Sequence, residues 1–417
     1  MKLSVFGLST AALFITEASF SQDVDISDVQ LNTITTAVPF LLIGPDSRSS
    51  GIGDAGVAIS PDANSMHWNA SKLAFVEKQM EISLSYSPWL RNLVPDMSQA
   101  YLSGYYKLDK TSALGVSLRY FNLGEINFTD NTGREIRNFT PKEFAIDAAY
   151  ALKLSDNLSG AVTGRFINSN LTGGITSGGA VSKPGRAFAV DLSSFYKSNK
   201  FKLSDKDAFM SAGINISNIG NKMSYTNSAE RDFIPINLRL GTALTVDFDD
   251  YNKLTTTVDF NKLLVPTPAR YDPNNVTKII AGRDPNVGIA EGIFGSFTDA
   301  PGSVISIDTI NNVATIKKGT VLREELREIN ISGGLEYWYA NQFAIRAGYF
   351  HEHATKGDRK YATFGVGLKY SVFALDFSYL ISTTGRQNPL ANTLRFSLRF
   401  TFEDSKKGGK AADVNTD

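Results

Sequence analysis

Four groupings in this chain have residue types that could do chemistry. Gly51, Gly53 and Gly56 spell G-x-G-x-x-G, the spacing that lets a backbone approach a dinucleotide pyrophosphate. His351-Glu352-His353 offers three metal-capable side chains, and in a strand its two imidazoles would share a face. Asp249-Asp250 and Glu324-Glu325 are paired carboxylates, a residue type used in acid–base catalysis, and His67 stands beside Trp68.

Each grouping lacks the surroundings its chemistry needs. A dinucleotide site requires a preceding buried strand, a helix inside a βαβ unit and an acidic residue about twenty positions on. Antiparallel-type β pattern follows here instead, so the glycines read as tight packing of an irregular segment. Two imidazoles make an incomplete metal site. No serine stands in a nucleophile-elbow context, and the histidines are too few for a triad. His67 reads as a packed or capping residue, and the acidic pairs read as solvated turn and loop charges. The expectation is a non-enzyme with no cofactor and no metal.

Composition narrows the class. The 417 residues carry 42 basic and 42 acidic side chains and no cysteine. The balance argues against a nucleic-acid surface, and without cysteine there is no disulfide framework or thiolate chemistry. Lys2, the apolar run Leu3 to Ile15 and the small residues up to Ser21 predict a secretory signal peptide over 1–21, leaving Gln22 first in the mature chain. No later stretch approaches the ~20 apolar residues of a membrane helix. The mature protein is therefore either soluble outside the inner membrane or an outer-membrane β-barrel.

From Gln79 to Phe402 the hydrophobic pattern has period two. Leu394, Phe396, Leu398, Phe400 and Phe402 alternate with Thr393, Arg395, Ser397, Arg399 and Thr401, and similar runs recur along the chain. Candidate strands fall near 79–88, 98–108, 112–122, 141–154, 157–168, 186–197, 208–218, 234–247, 250–263, 326–339, 341–353, 359–371, 372–382 and 391–402. Many match the ~9–11 residues a tilted strand needs to cross a bilayer. Tight turns alternate with longer connections, as in barrels with short periplasmic turns and long outer loops. The connection 198–207 is longer than that rhythm allows. The predicted fold is all-β, a transmembrane antiparallel barrel of about fourteen strands over 79–402. Both barrel ends would lie in the periplasm, together with a tail over 403–417.

Thr36 to Phe75 has no strand periodicity. Pro39-Phe40-Leu41-Leu42-Ile43 is an apolar cluster with no helix or strand register, followed by glycines and by the turn formers Asp62, Asn64 and Asn69. Something must enclose it, so 22–78 is assigned as a lead-in and plug. Inward wall positions then carry Arg119, Asp191, Arg239, Arg346, Lys369, Asp376, Arg395 and Arg399. These are expected to pair with one another and with plug groups such as Asp46, Arg48 and Asp54. The insertion 264–325 is expected to be ordered, with helices over 291–297 and 321–328 and a hairpin over 304–316.

Thr36 to Ile43, Pro45-Asp46-Ser47-Arg48, Gly53-Asp54, Asp62, Asn64 and His67-Trp68-Asn69, with Lys262 to Pro268, resemble the PorV family of the type IX secretion system of Bacteroidota. The wider fatty-acid transporter-like group shows Asn-Pro-Ala where this chain has Asn69-Ala70-Ser71. The resemblance implies fourteen strands, an N-terminal plug and a role in protein export. Cargo carrying a C-terminal signal domain would pass from the translocon barrel to a cell-surface sortase or attachment complex. Plug or partner contacts would then come from Pro39, Phe40, Leu41, Leu42, Ile43, Asp46, Arg48, Gly51, Gly53, Asp54, Trp68 and Asn69. The cargo-binding loop would use Lys262, Pro266, Pro268 and Phe294. The alternative is a transporter of hydrophobic small molecules.

Overall fold

Alternation along each strand sends successive side chains to opposite faces of a pleated sheet. On the strand Ser112–Asn122, Leu114, Val116, Leu118 and Tyr120 are exposed, whereas Ala113, Ser117, Arg119 and Phe121 are buried. The outward face is thus the apolar one. The inward face carries the charges.

The computed structural model describes residues 31–90, 94, 96–129, 132–174, 176–177, 180–226, 231–272, 275–308, 313–384 and 393–403. The predicted signal peptide, residues 22–30 of the lead-in, positions 391–392 of the last predicted strand, and all of the tail except Glu403 lie outside the described residues.

Fourteen strands build the wall: β1 (Met80–Pro88), β2 (Ser98–Lys107), β3 (Ser112–Asn122), β4 (Lys142–Lys153), β5 (Leu158–Asn170), β6 (Gly185–Lys197) and β7 (Lys206–Gly220), then β8 (Asn237–Asp247), β9 (Asn252–Leu263), β10 (Asn330–Tyr339), β11 (Phe343–His351), β12 (Lys360–Tyr370), β13 (Phe373–Ser382) and β14 (Leu394–Phe402). Each is antiparallel to its sequence neighbour, and β14 pairs back onto β1 with Phe402 opposite Met80. Closure leaves no unpaired edge, which a strand in hydrocarbon requires. The strands run from nine residues in β1 to fifteen in β7. A band of exposed Leu, Val, Ile and Phe on such strands suits lipid and would be costly in water.

Even-numbered strands end in tight turns. Odd-numbered strands lead into the longer connections, so all of these lie at one end of the barrel. The exception at 198–207 has a physical explanation: Phe201–Leu203 folds back on Lys206–Ala208, extending the β6–β7 hairpin beyond the wall. Several predicted strand starts are early, two of them with a structured segment in front. The strand expected from 326 begins at Asn330 because Thr320–Arg327 is helical, and the one expected from 234 begins at Asn237. In the insertion, a helix spans Ile289–Gly295 and Val304–Asp308 pairs antiparallel with Val313–Ile316.

Inside the wall, Arg165 on β5 joins Asp147 on β4 (2.7 Å) and Asp191 on β6 (3.0 Å), all buried. A register shift between Val190 and Leu192 marks the β6–β7 seam, where Asp191 Oδ1 accepts from the backbone N–H of Asn218 at 2.7 Å and Arg165 also donates to the Asn218 side chain. Arg165→Met would strand two carboxylates in the lumen. Breaking buried pairs of this kind costs roughly 3–5 kcal/mol. The temperature at which the compact band on unheated gels converts to the unfolded band should fall; an unchanged temperature would show that the triad contributes nothing to the wall.

Candidate functional site

The interior segment runs the length of the lumen. At the long-loop end the Asn32 backbone N–H donates to Thr355 O (3.0 Å) and that of Ala37 donates to Phe233 O (2.9 Å). Pro39–Leu42 forms a single 3₁₀ turn where no helix register was expected, and Pro39 at its first position pre-sets φ for it. Phe40 is buried and stacks on Phe121 near the long-loop end of β3, ring centroids 6.2 Å apart. Arg119 Nη1 donates to the carbonyls of Phe40 (3.2 Å) and Leu41 (3.0 Å). At the opposite end Ala63, Met66, Leu73 and Val76 pack on Tyr105, Ala113, Ala149 and Ala161, and Lys107 Nζ donates to Val76 O.

Between these ends the plug is fixed by charge. Arg48 makes a bidentate contact with Glu336 on β10, Nε to Oε2 at 2.8 Å and Nη2 to Oε1 at 2.7 Å, while its Nη1 donates to Asp62 Oδ2 at 2.9 Å. Glu336 also accepts from Arg346 Nε (2.7 Å), and Arg346 Nη1 donates to Asp376 (2.8 Å). Asp376 accepts from Arg399 (2.9 Å), and Arg399 lies 3.6 Å from Asp62. The result is a closed ring of alternating sign, Asp62, Arg48, Glu336, Arg346, Asp376 and Arg399, every member buried. Three cations face three anions, so the ring is formally neutral.

Asp54 makes a second clamp, accepting from Arg395 (2.7 Å) and from the Tyr361 hydroxyl (2.5 Å). Gly53 beside it has φ +79°, and its N–H donates to Thr363 Oγ1 at 2.9 Å. A Cβ there would meet the backbone of Tyr349 and Gly333, and one on Gly348 would meet the backbone of Ile52 and Gly53. The glycine run therefore serves close approach of plug to wall. Asp259 Oδ2 accepts from the backbone N–H groups of Gly56 and Val57 at 2.7 and 2.9 Å. Lys72 is buried and donates to Gly56 O at 2.6 Å.

The other predicted residues take definite places. Asp46 does not pair with a wall cation. It caps the turn Ser47–Ser50, accepting from Ser49 N, and accepts from Trp68 Nε1 at 2.6 Å. Gly51 lies against Gly365 of β12. Asn69 Nδ2 donates to Val57 O and Ser194 O, and its Oδ1 accepts from Ser71 N, which fixes the turn without a proline. The apolar cluster is divided: Phe40 and Leu41 are buried, Leu42 and Ile43 half-buried, and Pro39 exposed. Lys369, expected inside, is exposed near the end of β12.

Lys262 is a correction. It belongs to strand β9 rather than to a loop, is buried, and pairs with Glu325 (3.1 Å) and Glu328 (2.6 Å). Glu324 and Glu325 are likewise not solvated charges. Glu324 accepts from Lys356 (2.8 Å) and Asn32 (2.9 Å), and Glu325 from Ala300 N (2.9 Å), so one face of the Thr320–Arg327 helix is tied to the barrel mouth. Pro266 and Pro268 are half-buried. Asp299 packs beside them, its carboxylate accepting from Thr267 N, and burial pushes its carboxyl up to about 6. Phe294, at 77% exposure, stands clear of the insertion, with Phe297 also exposed.

The motifs weighed for chemistry each have structural partners. His67 Nδ1 lies 2.5 Å from Arg119 Nη2, and its ring meets Trp68 edge-on. Glu352 is bound by Arg359, His353 Nδ1 by Thr355, and His351 points outward from β11 opposite Ile331. Among the described residues no three His, Asp or Glu side chains converge as metal ligands. Asp249 caps its turn through the N–H groups of Tyr251 and Asn252.

Sequence reasoning missed Glu336, Asp259 and Lys72. The two acids were accessible to it, since Glu336 alternates with Leu335 and Tyr337, and Asp259 with Val258 and Phe260. Nothing local marks Lys72.

Above the plug, at the long-loop end, lies a cavity of about 440 Å³. Ile34, Leu42, Ile43, Trp89 and Leu263 give it apolar walls, with Arg239 and Arg395 also on its lining.

A family model described as type IX secretion system protein PorV matches residues 26–270. No curated protein matches the chain. Among solved structures, the toluene transporter TbuX of Ralstonia pickettii is similar at 11% identity and a TM-score of 0.46, over 87% of this chain and 100% of that one. The toluene transporter TodX of Pseudomonas putida is similar at 11% and 0.45, over 89% and 98%. A FadL homologue of Pseudomonas aeruginosa is similar at 12% and 0.42, over 89% and 99%. Likenesses this distant carry no inference about what this chain binds.

Burial makes Phe40 the anchor of the upper plug, with a worth of roughly 1.5–3 kcal/mol. Phe40→Asp should lose that and add a desolvation cost, whereas Leu42→Asp, facing the cavity, should do far less. On unheated gels the compact band of the Phe40 variant should convert to the unfolded band at a lower temperature than wild type, while the Leu42 variant should stay near wild type. Equal conversion temperatures for both variants would show that Phe40 does not anchor the upper plug.

Proposed function

This chain belongs to the PorV family and is an outer-membrane component of the type IX secretion system, and from that premise we propose that it binds exported cargo through the cargo's C-terminal signal domain and carries it from the translocon to the sortase or attachment complex at the cell surface. The observation that carries this reading is the filled lumen. A plug held by six mutually paired buried charges leaves no passage for a polypeptide, so the working surfaces are external. It is a carrier without catalytic chemistry of its own. The long-loop end would face outward, with the short turns and both wall ends in the periplasm.

The insertion between β9 and β10 is the proposed cargo surface. Its base is tied down by Lys262 and Lys356, so the exposed Phe294 and Phe297 stand on an anchored platform. Exposed aromatics on a fixed base are what a protein partner can bury at low entropic cost. Pro266, Pro268 and Phe294 would make the contacts, and Lys262 would hold the base. A second reading, transport of hydrophobic small molecules, is favoured by the cavity above the plug. Cargo and translocon in pull-downs from outer membranes support the first reading; lipid extracted from the lumen supports the second.

Replacing 270–317 with a glycine–serine linker spares Glu324, Glu325 and Glu328 and their lysines. The barrel should assemble at normal abundance while cargo no longer co-purifies with it. Normal cargo recovery would remove the platform from the mechanism.

A further inference from the structure

The helix Thr320–Arg327 is sewn to the barrel mouth by its acidic face, and its opposite side is left open. Leu322 and Leu326, one turn apart, are 65% and 60% exposed. Arg323 is exposed and Arg327 half-exposed on the adjacent side. The acids next to them in sequence are taken, Glu324 by Lys356 at 2.8 Å and Glu328 by Lys262 at 2.6 Å, and neither arginine has an ion-pair partner among the described residues.

This open side borders an outward groove of about 530 Å³ whose floor is the lipid-facing surface of β10 and β11. Ile331 is exposed outward while its neighbour Ser332 is buried inward, and His351, opposite Ile331, shares the outward face. The helix leucines thus continue the apolar belt of the wall, and the arginines stand beside it at the long-loop rim. An apolar strip ending in two unpaired guanidinium groups at the edge of a membrane matches one kind of molecule: acyl chains below, phosphate above.

We propose that this groove binds a phosphorylated glycolipid of the outer leaflet, its acyl chain against Leu322, Leu326 and Ile331 and its phosphate on Arg323 and Arg327. The leaflet rests on the reading that the long-loop end faces outward; the phospholipid-type chemistry of the groove does not. Such a lipid would brace the helix that holds the base of the insertion, since Glu324 and Glu325 on its other face grip Lys356 and Lys262.

The test uses the full mature chain in detergent micelles, with bis-phosphorylated lipid A titrated and bound lipid counted by native mass spectrometry. Wild type should retain the lipid, and Arg323→Gln with Arg327→Gln should weaken it about tenfold or more. Leu322→Ser with Leu326→Ser should weaken it as well, with both variants still showing the compact band on unheated gels. Dephosphorylated lipid A should bind poorly, and inorganic phosphate at the same concentration should not compete. Equal retention of lipid A by wild type and the arginine variant, or equal binding of the dephosphorylated lipid, would overturn the site; competition by inorganic phosphate would overturn the lipid in favour of a free anion. Ser303→Cys should react with an impermeant maleimide on intact cells, and failure to react alongside normal micelle binding would overturn the leaflet alone.

Discussion

A buried charge without a partner is among the most expensive features a fold can contain, and the interior of this barrel is organised around that constraint. The polar face of every wall strand points inward, so the lumen inherits arginines and carboxylates from many strands at once. Were the lumen wide and wet, water could screen them. Filled by a plug, they must be matched, and the ring of Asp62, Arg48, Glu336, Arg346, Asp376 and Arg399 does this with two members from the plug and four from the wall. Arg48 pairs with Asp62 inside the plug, Glu336, Arg346, Asp376 and Arg399 pair along the wall, and the Arg48–Glu336 and Arg399–Asp62 contacts join the two sets. Plug and wall are therefore one electrostatic object.

This has a consequence for transport. Expelling the plug would expose Glu336 and Asp376 together with their arginines and would break the glycine contact between Gly53 and the β10–β11 wall. Opening would require all of these to go together, since each pair holds the others in register. On the proposed function, a barrel sealed in this way works from its outside. The apolar wall, the loop platform and the rim helix then become the surfaces on which a secretion component can meet membrane and partners.

The same logic extends to the mouth. Lys262 lies at the long-loop end of β9 on the same strand face as Val258 and Phe260, and Lys356 lies in the connection after β11. Both find their acids on the Thr320–Arg327 helix rather than in the lumen. The acidic face of one short helix thereby fixes the insertion to the wall, and leaves the opposite face available to the bilayer.

The wall was legible because its code is local. Alternation such as Leu394 to Phe402 against Thr393 to Thr401 depends on residues two positions apart, and turns such as that capped by Asp249 depend on three or four. The interior segment was legible as something enclosed, since Pro39 to Ile43 could not stand in water, but not as a path. Whether Phe40 met the wall at one mouth or the other depended on Phe121, Phe233 and Ile236, which no local pattern links to it. The pairing of Arg48 with Glu336 spans 288 positions, and that of Arg395 with Asp54 spans 341. Local periodicity thus determined the strands, about fourteen of them, and gave each a polar and an apolar face. Which charge meets which, and where the plug lies along the axis, was decided only when closure brought distant strands around one segment, because Coulomb and packing energies depend on separation in space and not along the chain.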